Sequence, residues 1–271
     1  MSVRVAIAGA SGRMGQALVE ATLASGDCTL AAALDVPGSA LISHDAGERI
    51  GRVTGVRVGS EVDAALDAAD VLIDFTRPEG TLAHAAACAR RGVALVAGTT
   101  GLSDAQKQAL AEHAQATPIV FAPNMSVGVT LLARLVELAA SRLRDGYDIE
   151  VVEMHHRHKV DAPSGTALQL GEAAARGSGT TLRASAVYAR EGTTGPRPRG
   201  AIGFATLRGG DVVGDHTVIF AGDGERIELA HRAGSRQTFA TGALRAARFA
   251  ADRRAAGEHG LFDMRDVLDL R

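Results

Sequence analysis

A glycine-rich turn near the start of the chain constrains the fold more than any other feature. The apolar run Val3–Ala8 predicts a buried strand, and the apolar spacing over residues 12–25 predicts a helix. Between them Gly9, Gly12 and Gly15 give the pattern GxxGxxG, a variant of the GxGxxG fingerprint. Such a turn lets the backbone approach a pyrophosphate, and the helix N-terminus offers N–H groups and the positive end of its dipole. The turn therefore predicts a dinucleotide site, the alternative being glycines that serve packing alone.

An acidic residue stands where such a site needs one. Asp35 follows the next predicted strand, residues 29–34, at the distance past Gly15 that the fingerprint expects. A carboxylate there accepts hydrogen bonds from the ribose hydroxyls and repels a 2′-phosphate. The next residue is Val36, so no adjacent arginine neutralises that phosphate. We therefore expect NADH as the cofactor, with NADPH as the alternative because Arg13 in the turn could reach a phosphate.

Further strands and helices alternate through the first half of the chain. Continuous apolar strands separated by helices predict a parallel sheet covered on both faces. Ser103 is expected to cap one of these helices and Pro78 to begin another. The predicted strands are 71–75, 93–97 and 118–122, the predicted helices are 78–91 and 104–116, and a Gly/Ser/Pro-containing loop spans 37–59.

The pattern changes after Asn124. Three strands joined by glycine-rich turns, 201–208, 212–220 and 226–232, are predicted to be antiparallel neighbours, and the loop 191–200 is expected to be mobile or interfacial. The fold class is α/β, a Rossmann-type parallel-sheet domain plus a second α+β domain with a mixed or antiparallel sheet. We assign residues 1–126 and 236–271 to the dinucleotide-binding domain and 127–235 to a substrate-binding domain. The remaining predicted elements are helices 127–144, 166–176 and 237–253 and the strand Asp148–His155.

The charge balance argues against several classes of partner. The net charge is −2, without the excess of Lys and Arg that nucleic acid or an anionic membrane attracts. The two cysteines, Cys28 and Cys88, lack metal-ligand spacing and fit a reducing compartment. No stretch approaches the roughly 20 apolar residues that a membrane span needs. We expect a cytoplasmic protein with neither nucleic-acid nor membrane partners.

Two more turns follow predicted strands of the parallel sheet. Gly98, Thr99, Thr100 and Gly101 end one strand, and the sequence APNM at 122–125 ends another. The carboxyl ends of parallel strands line the ligand crevice of such sheets, so both turns are expected to contact the nicotinamide half of the cofactor. The alternative for each is ordinary turn chemistry.

The segment 153–159, EMHHRHK, is the most unusual part of the chain. Five consecutive basic or titratable residues begin at His155, and the turn DAPSGT at 161–166 leads into a helix whose N-terminus could bind an anion. A carboxylate substrate needs such cations and donors, and imidazole and ammonium groups supply protons near neutral pH. The alternative is a solvated basic patch or an oligomer surface. Because no acidic or Cys ligands accompany the histidines, no metal is expected.

Six motifs together give a family resemblance that covers essentially the whole chain. They are GASGRMG at 9–15, DFTRP at 74–78, GTTG at 98–101, HHRHKVDAPSGT at 155–166, GFA at 203–205 and GLFDM at 260–264. With these motifs the chain resembles the 4-hydroxy-tetrahydrodipicolinate reductase (dihydrodipicolinate reductase) family. The resemblance implies reduction of a cyclic imine dicarboxylate by NAD(P)H in the diaminopimelate route to lysine. It also implies a homotetramer built through the sheet of the C-terminal domain.

The resemblance assigns roles residue by residue. It implies that His155 is the acid/base residue, that Lys159 is the proton donor, and that His156, Gly165 and Thr166 hold the substrate carboxylates. Many bacterial members carry an arginine after the ribose-binding acid, where this chain has Val36. This departure from the family pattern bears on the use of NADPH and not on the activity. The implied cofactor contacts are Gly9, Ala10, Ser11, Gly12, Arg13, Met14, Asp35, Gly98, Thr99, Thr100, Ala122, Pro123, Asn124 and Met125.

Two other functions stay open on sequence grounds. A semialdehyde or amino-acid dehydrogenase could share the two-domain plan, although neither Cys28 nor Cys88 has the setting of a nucleophile. An NADH-sensing regulator would use the histidine cluster as a partner surface, although no DNA-binding helix or basic stripe supports it.

Overall fold

The computed structural model describes residues 2–271, which form two compact units. One unit comprises Met1–Val127 and Arg236–Arg271, and the other comprises Gly128–Ser235. The predicted domain boundary, between residues 126 and 127, lies next to the point where the chain leaves the first unit. The functional roles assigned to the two domains stay predictions. Within residues 2–271, no helix combines the length and apolar character needed to cross a membrane.

The elements are numbered along the chain. The strands are β1 Val3–Ala8, β2 Cys28–Leu34, β3 Val58–Gly59, β4 Val71–Asp74, β5 Ala94–Ala97, β6 Pro118–Phe121, β7 Asp148–His155, β8 Ala186–Val187, β9 Ile202–Arg208, β10 Gly214–Gly222, β11 Glu225–Ala233 and β12 Gly260–Phe262. The α-helices are α1 Arg13–Ala24, α2 Val62–Ala68, α3 Pro78–Arg91, α4 Asp104–His113, α5 Val127–Arg142, α6 Gly165–Gly177, α7 Leu182–Ser185, α8 Gln237–Ala255 and α9 Met264–Val267.

The first unit contains a seven-stranded sheet in the order β12-β6-β5-β4-β1-β2-β3, and every pair in it is parallel. Successive side chains of a strand point to opposite faces. Val5 and Ile7 of β1 belong to one core cluster, and Ala6 and Ala8 belong to another. Both faces are therefore buried, which confirms the predicted Rossmann-type parallel sheet.

Local helix signals in this unit act as the sequence predicts. The Ser103 hydroxyl accepts a hydrogen bond from the Gln106 N–H, and the Gln106 side chain accepts one from the Ser103 N–H, which forms a capping box. Pro78 occupies the first turn of α3, where its missing N–H costs no hydrogen bond. The helix α2 and the short strands β3 and β12 were not predicted, because each is too short to show periodicity.

The predicted loop 37–59 has internal order that its composition does not reveal. A 3₁₀ turn spans Glu48–Ile50. The Asp45 carboxylate accepts hydrogen bonds from the backbone N–H groups of Gly47, Thr54 and Gly55. The Gly47 N–H contributes most among the interactions that lower the pKa of Asp45 to about 2. The half-buried carboxylate of Asp45 thus organises the loop.

The second unit contains a mixed five-stranded sheet in the order β11-β10-β7-β9-β8. The strand β10 pairs antiparallel with β7 and β11, whereas β9 pairs in parallel with β7 and β8. The expectation that β9 and β10 are antiparallel neighbours was wrong, because β7 lies between them. The glycine turn between them instead bonds to the end of β7, where the Gly209 N–H donates to the His155 carbonyl.

One face of this sheet carries the core of the second unit. Ile149 and Val151 of β7 lie opposite Ile202 and Phe204 of β9, and Val151 also faces Val218 of β10. These side chains cluster with buried residues of α5 and α6. The opposite face is more exposed: Val152, Met154, Thr217 and Ile219 are half-buried and Leu207 is 49% exposed.

The loop 191–200 is anchored at one residue. The Arg197 guanidinium donates to the Glu150 and Asp148 carboxylates at 3.0 and 2.8 Å and to the carbonyls of Ile149 and Ala201. Arg190 forms a bidentate ion pair with the same Glu150 carboxylate. Because a guanidinium can satisfy several acceptors at once, these arginines tie the loop to β7. Its expected interfacial role stays a prediction.

We expect Gly242→Ala to destabilise the chain. Alanine in a helix interior is ordinarily worth about 1 kcal/mol over glycine. A Cβ at Gly242 in α8, however, would lie 1.8 Å from the Met125 carbonyl oxygen. Since backbone must move to relieve that overlap, the free energy of unfolding measured in urea should fall by about 1–3 kcal/mol.

The matched control is Gly26→Ala. Among the described residues, no atom lies within 4 Å of a Cβ built at Gly26. This variant should stay within about 0.5 kcal/mol of the wild type. A Gly242→Ala protein as stable as wild type would contradict the close approach of α8.

Candidate active site

The glycine turn after β1 has the geometry of a phosphate cradle. Gly9 adopts φ +71°, a left-handed conformation that favours glycine, and its carbonyl accepts the Gly12 N–H at 2.9 Å. A Cβ at Gly15 would lie 2.1 Å from the Gly9 carbonyl oxygen, and one at Gly12 would lie 3.2 Å from it. Gly12 and Gly15 have no side chains, and no side chain caps α1. The backbone N–H groups at the start of this helix are therefore left available to a ligand. The residues present fit a dinucleotide pyrophosphate.

Asp35 is held at the end of β2 beside this turn. Its carboxylate accepts hydrogen bonds from the N–H groups of Ser11 and Val36, each at 2.8 Å. Burial raises the pKa of Asp35, but the hydrogen bonds from Ser11 and Val36 outweigh it, so the pKa lies below its usual value. The carboxylate is ionised at neutral pH and can accept from ribose hydroxyls.

An arginine that the sequence analysis missed also reaches the turn. The Arg49 guanidinium donates to the Ser11 carbonyl at 3.1 Å. Arg49 and Arg13 line one surface pocket with Ser11 and Gly12. No local pattern signals this contact, because it depends on how the loop 37–59 folds back over the turn.

The other predicted cofactor residues follow β5 and β6, which are neighbours in the sheet. The Gly98 N–H donates to the Asp74 carbonyl, and the Ala122 N–H donates to the Ala97 carbonyl. A Cβ at Gly98 would lie 2.3 Å from the Phe75 ring, so glycine is required for that packing. Because parallel strands end at the same edge, these turns and the glycine turn lie at one edge of the sheet. The side chains of Ala10 and Met125 are fully buried, so these two residues can offer only backbone to a ligand.

Hydrogen bonds between buried polar side chains hold the turns at the ends of β4 and β5 in place. The Asp74 carboxylate, fully buried, pairs with His84 Nδ1 at 2.8 Å and accepts the Thr76 N–H at 2.7 Å. The hydroxyls of Thr81 and Thr99 are 2.7 Å apart. These contacts fix the loops at the ends of β4 and β5, and only Thr99 among them was predicted as a site residue.

In the second unit, His155 is the last residue of β7. Alternation along β7 puts Glu153 and His155 on the same face as the core residues Ile149 and Val151. His155 is 7% exposed, and its Nδ1 lies 2.6 Å from Glu153 Oε2. The sequence predicted the histidine but gave the glutamate no role.

Glu153 is a buried carboxylate that accepts hydrogen bonds from several neighbouring groups. It is 1% exposed, accepts two hydrogen bonds from the Arg208 guanidinium at 2.8 and 3.1 Å, and accepts the Ser164 N–H at 3.0 Å. Burial raises the pKa of Glu153, but the hydrogen bonds from Arg208, His155 and Ser164 outweigh burial and lower it overall. The group is therefore a carboxylate at neutral pH.

His216 of β10 completes the buried cluster. It lies opposite Glu153 in the sheet register, and its ring centroid is 5.0 Å from that of His155. Its Nε2 lies 3.0 Å from the Ser164 hydroxyl. Burial, followed by the charge of His155, lowers the pKa of His216 to about 4, so the ring is neutral at neutral pH. These contacts hold the His216 ring beside His155 and the start of α6.

The segment after β7 runs from His155 toward the start of α6. The His156 N–H donates to the Val212 carbonyl, and the Lys159 ammonium pairs with Asp161 at 2.8 Å. The Ser164 hydroxyl caps α6 by accepting the Ala167 N–H at 3.1 Å. Gly165 and Thr166 therefore open the helix, where the dipole favours an anion. Glu153 joins the two ends of this segment, because it bonds to both His155 and Ser164.

The predicted site residues thus fall into two groups, one in each unit. The cofactor set lies in the first unit, and the catalytic and substrate-binding set lies in the second. Sequence reasoning missed Glu153, Ser164, Arg208 and His216. Period-two alternation along β7 could have flagged Glu153, whereas the register that brings His216 and Arg208 beside it cannot be inferred from one sequence. Residues 2–271 contain no cluster of three or more His, Cys, Asp or Glu arranged to hold a metal ion.

Comparison with known proteins agrees with this arrangement. Residues 3–125 match the family model described as dihydrodipicolinate reductase, N-terminus, and residues 128–268 match dihydrodipicolinate reductase, C-terminus. The 4-hydroxy-tetrahydrodipicolinate reductase of Thiobacillus denitrificans is 60% identical over 271 residues, covering 100% of both chains.

Solved structures resemble the chain over nearly its full length. Dipicolinate-bound dihydrodipicolinate reductase from Paenisporosarcina sp. TG-14 superposes with a TM-score of 0.75 at 26% identity, covering 97% of this chain and 98% of that one. GenD2 from gentamicin A biosynthesis, in complex with NAD, shares the fold with a TM-score of 0.60 at 17% identity, over 99% and 91% of the two chains. The chain is therefore an oxidoreductase and belongs to the dihydrodipicolinate reductase family.

Proposed function

We propose that this chain reduces 4-hydroxy-tetrahydrodipicolinate to tetrahydrodipicolinate in the diaminopimelate route to lysine, with the 4-hydroxyl group leaving as water and a hydride delivered from the reduced cofactor. The observation that carries the proposal is the buried pair of Glu153 and His155, which stands beside the start of α6. The pair places a titratable ring and an anion-binding helix end in the same unit. The relative from Thiobacillus denitrificans, which is named for this substrate, supports the choice.

The substrate is a cyclic dicarboxylate, so its site must stabilise two negative charges. We assign the carboxylates to His156, Gly165 and Thr166. The first turn of α6 supplies backbone dipoles that favour an anion, and His156 and Lys159 supply an imidazole and an ammonium group. This arrangement would stabilise both carboxylates through backbone dipoles and side-chain donors.

Proton delivery belongs to His155 and Lys159. The Glu153 carboxylate orients His155 through Nδ1, which leaves Nε2 to exchange a proton with the substrate. Lys159, whose ammonium is held by Asp161, supplies a second donor from the same segment. A positioned proton donor typically contributes about 10²–10⁴-fold to the rate.

The cofactor we propose is NADH, with NADPH as a poorer alternative. Bound at the first unit, a reduced nicotinamide supplies the hydride. The glycine turn 9–14 would hold the pyrophosphate, Asp35 the adenosine ribose, and the turns 98–100 and 122–125 the nicotinamide half. Asp35, ionised and without an arginine at position 36, disfavours a 2′-phosphate. Arg13 and Arg49 are the cations that would moderate this preference.

We also propose that the protein works in the cytoplasm as a homotetramer assembled through the sheet of its second unit. The face of that sheet opposite the core carries half-buried Val152, Met154 and Ile219 and exposed Leu207. Apolar side chains on a sheet face commonly mark an association surface. In a two-fold interface the same surface of both subunits is in contact, so this face would pack against the same face of a second copy.

Substitution of the proton donors tests the chemistry. We expect His155→Ala and Lys159→Ala each to lower kcat for substrate-dependent NADH oxidation by about 10²–10⁴-fold. The Kd for NADH, measured by fluorescence titration, should stay nearly unchanged because both residues lie in the second unit.

The neighbouring exposed His158 offers a matched control, since it has no assigned role. His158→Gln should keep turnover close to wild type. Wild-type turnover in both His155→Ala and Lys159→Ala would remove these residues from catalysis, and no substrate-dependent oxidation in the wild type would overturn the proposed function.

Cofactor preference is tested at Asp35. The wild type should show a lower KM for NADH than for NADPH. Asp35→Asn should lower the ratio of KM for NADPH to KM for NADH by about tenfold, which corresponds to about 1.4 kcal/mol. Loss of the negative charge both weakens the ribose contact and removes repulsion of the 2′-phosphate. Asp104→Asn, at a fully exposed side chain, is the control and should leave the ratio unchanged. A marked NADPH preference of the wild type would contradict the proposal.

The assembly is tested by sedimentation equilibrium. The wild type should sediment at about four times the 27.9 kDa chain mass. Leu207→Asp should reduce that mass because it puts a charge on the proposed contact face. Leu23→Asp, at a comparably exposed side chain of α1, should leave the mass unchanged. A Leu207→Asp protein that stays tetrameric would exclude this face.

A further inference from the structure

We propose that Glu153 is a positioning residue that fixes the tautomer and orientation of His155. The inference rests on the proposed role of His155 as the acid/base residue. It adds to that role a buried partner through which the ring is prepared for proton transfer.

The geometry of the Glu153–His155 pair fixes which ring nitrogen carries the proton. An ionised carboxylate can only accept hydrogen bonds, so the 2.6 Å contact to Glu153 Oε2 requires a proton on His155 Nδ1. In the neutral ring, Nε2 is then the basic nitrogen. Space beside Nε2 is kept by Gly214, where a Cβ would lie 3.0 Å from that nitrogen. The pair therefore aims one defined nitrogen of His155 away from Glu153.

Several hydrogen-bond donors hold Glu153 itself in place. Arg208 contributes two N–H groups and Ser164 contributes one, so the carboxylate cannot rotate without losing hydrogen bonds. A buried carboxylate is costly unless it is fully paired, and apolar residues often serve stability as well as a buried ion pair does. Orientation of His155 is a function that an apolar residue could not replace.

The charged surroundings of His155 are consistent with this role. Its neighbours come from four directions: its own strand, both adjacent strands and the segment that follows. His216 is neutral at neutral pH because its pKa is lowered to about 4, so it adds no positive charge beside His155. The titratable and charged groups are Glu153 on β7, His216 on β10 with His231 behind it on β11, Arg208 on β9, and Lys159 and Asp161 after the strand.

A purely structural role for Glu153 is the rival explanation. Arg208, which Glu153 binds, also donates to the Asp161 carbonyl at 2.6 Å. Glu153 could therefore matter because it anchors the segment 161–164 through Arg208 and Ser164. The experiment must separate loss of this anchor from loss of the contact to His155.

The deciding measurement is the tautomer of His155 by ¹⁵N NMR of the free protein, at a pH where the ring is neutral. In the wild type, His155 should be protonated at Nδ1. Glu153→Gln should give a mixture of tautomers, because an amide can donate as well as accept, and Glu153→Asp should retain the Nδ1-protonated form. Arg208→Met removes the anchor but leaves Glu153 and should lower Tm while keeping the wild-type tautomer.

Kinetics give the second readout. Glu153→Gln should lower kcat by about tenfold or more with KM for the dicarboxylate changed less than about threefold, since the ring is misoriented while the carboxylate site stays. Glu153→Asp should recover part of kcat. An unchanged tautomer in Glu153→Gln, with kcat falling only in step with Tm, would overturn the inference. Lack of substrate-dependent oxidation in the wild type would instead overturn the proposed function, and the NMR measurement would still decide the positioning role.

Discussion

The site in the second unit depends on one buried carboxylate. Glu153 accepts hydrogen bonds from His155 on its own strand, from Arg208 on β9 and from the N–H of Ser164 at the start of α6. A charge with so little exposure is stable only while these donors are in place. Because they come from three separate parts of the chain, the carboxylate holds the end of β7, the end of β9 and the entrance of α6 in one arrangement.

The first unit is organised by backbone rather than by charge. Glycines at positions 9, 12 and 15 let the turn after β1 fold tightly and leave N–H groups at the start of α1 unobstructed. The Asp35 carboxylate is held against this turn by a hydrogen bond from the Ser11 N–H. In the proposed function, the first unit binds the dinucleotide and the second binds the dicarboxylate and supplies its protons.

Much of this could be predicted from the sequence, because the signals are local. The strand β1, the helix α3 and the strand β7 were placed at their observed bounds, and Ser103 and Pro78 act at helix starts as expected. What could not be predicted depends on pairing between distant segments. The insertion of β7 between β9 and β10, and hence the approach of Arg208 and His216 to Glu153, follows from sheet register that one sequence does not contain.

We propose that the imidazole of His155 exchanges a proton with a dicarboxylate bound to the second unit, while the first unit holds the reduced nicotinamide. A crystal structure with NADH and dipicolinate bound tests this most directly. We expect His155 Nε2 to be directed at the dicarboxylate ring, with Glu153 still on Nδ1, and the nicotinamide to lie at the turns 98–100 and 122–125. A complex in which His155 and Lys159 point away from the dicarboxylate in every subunit would contradict the proposal.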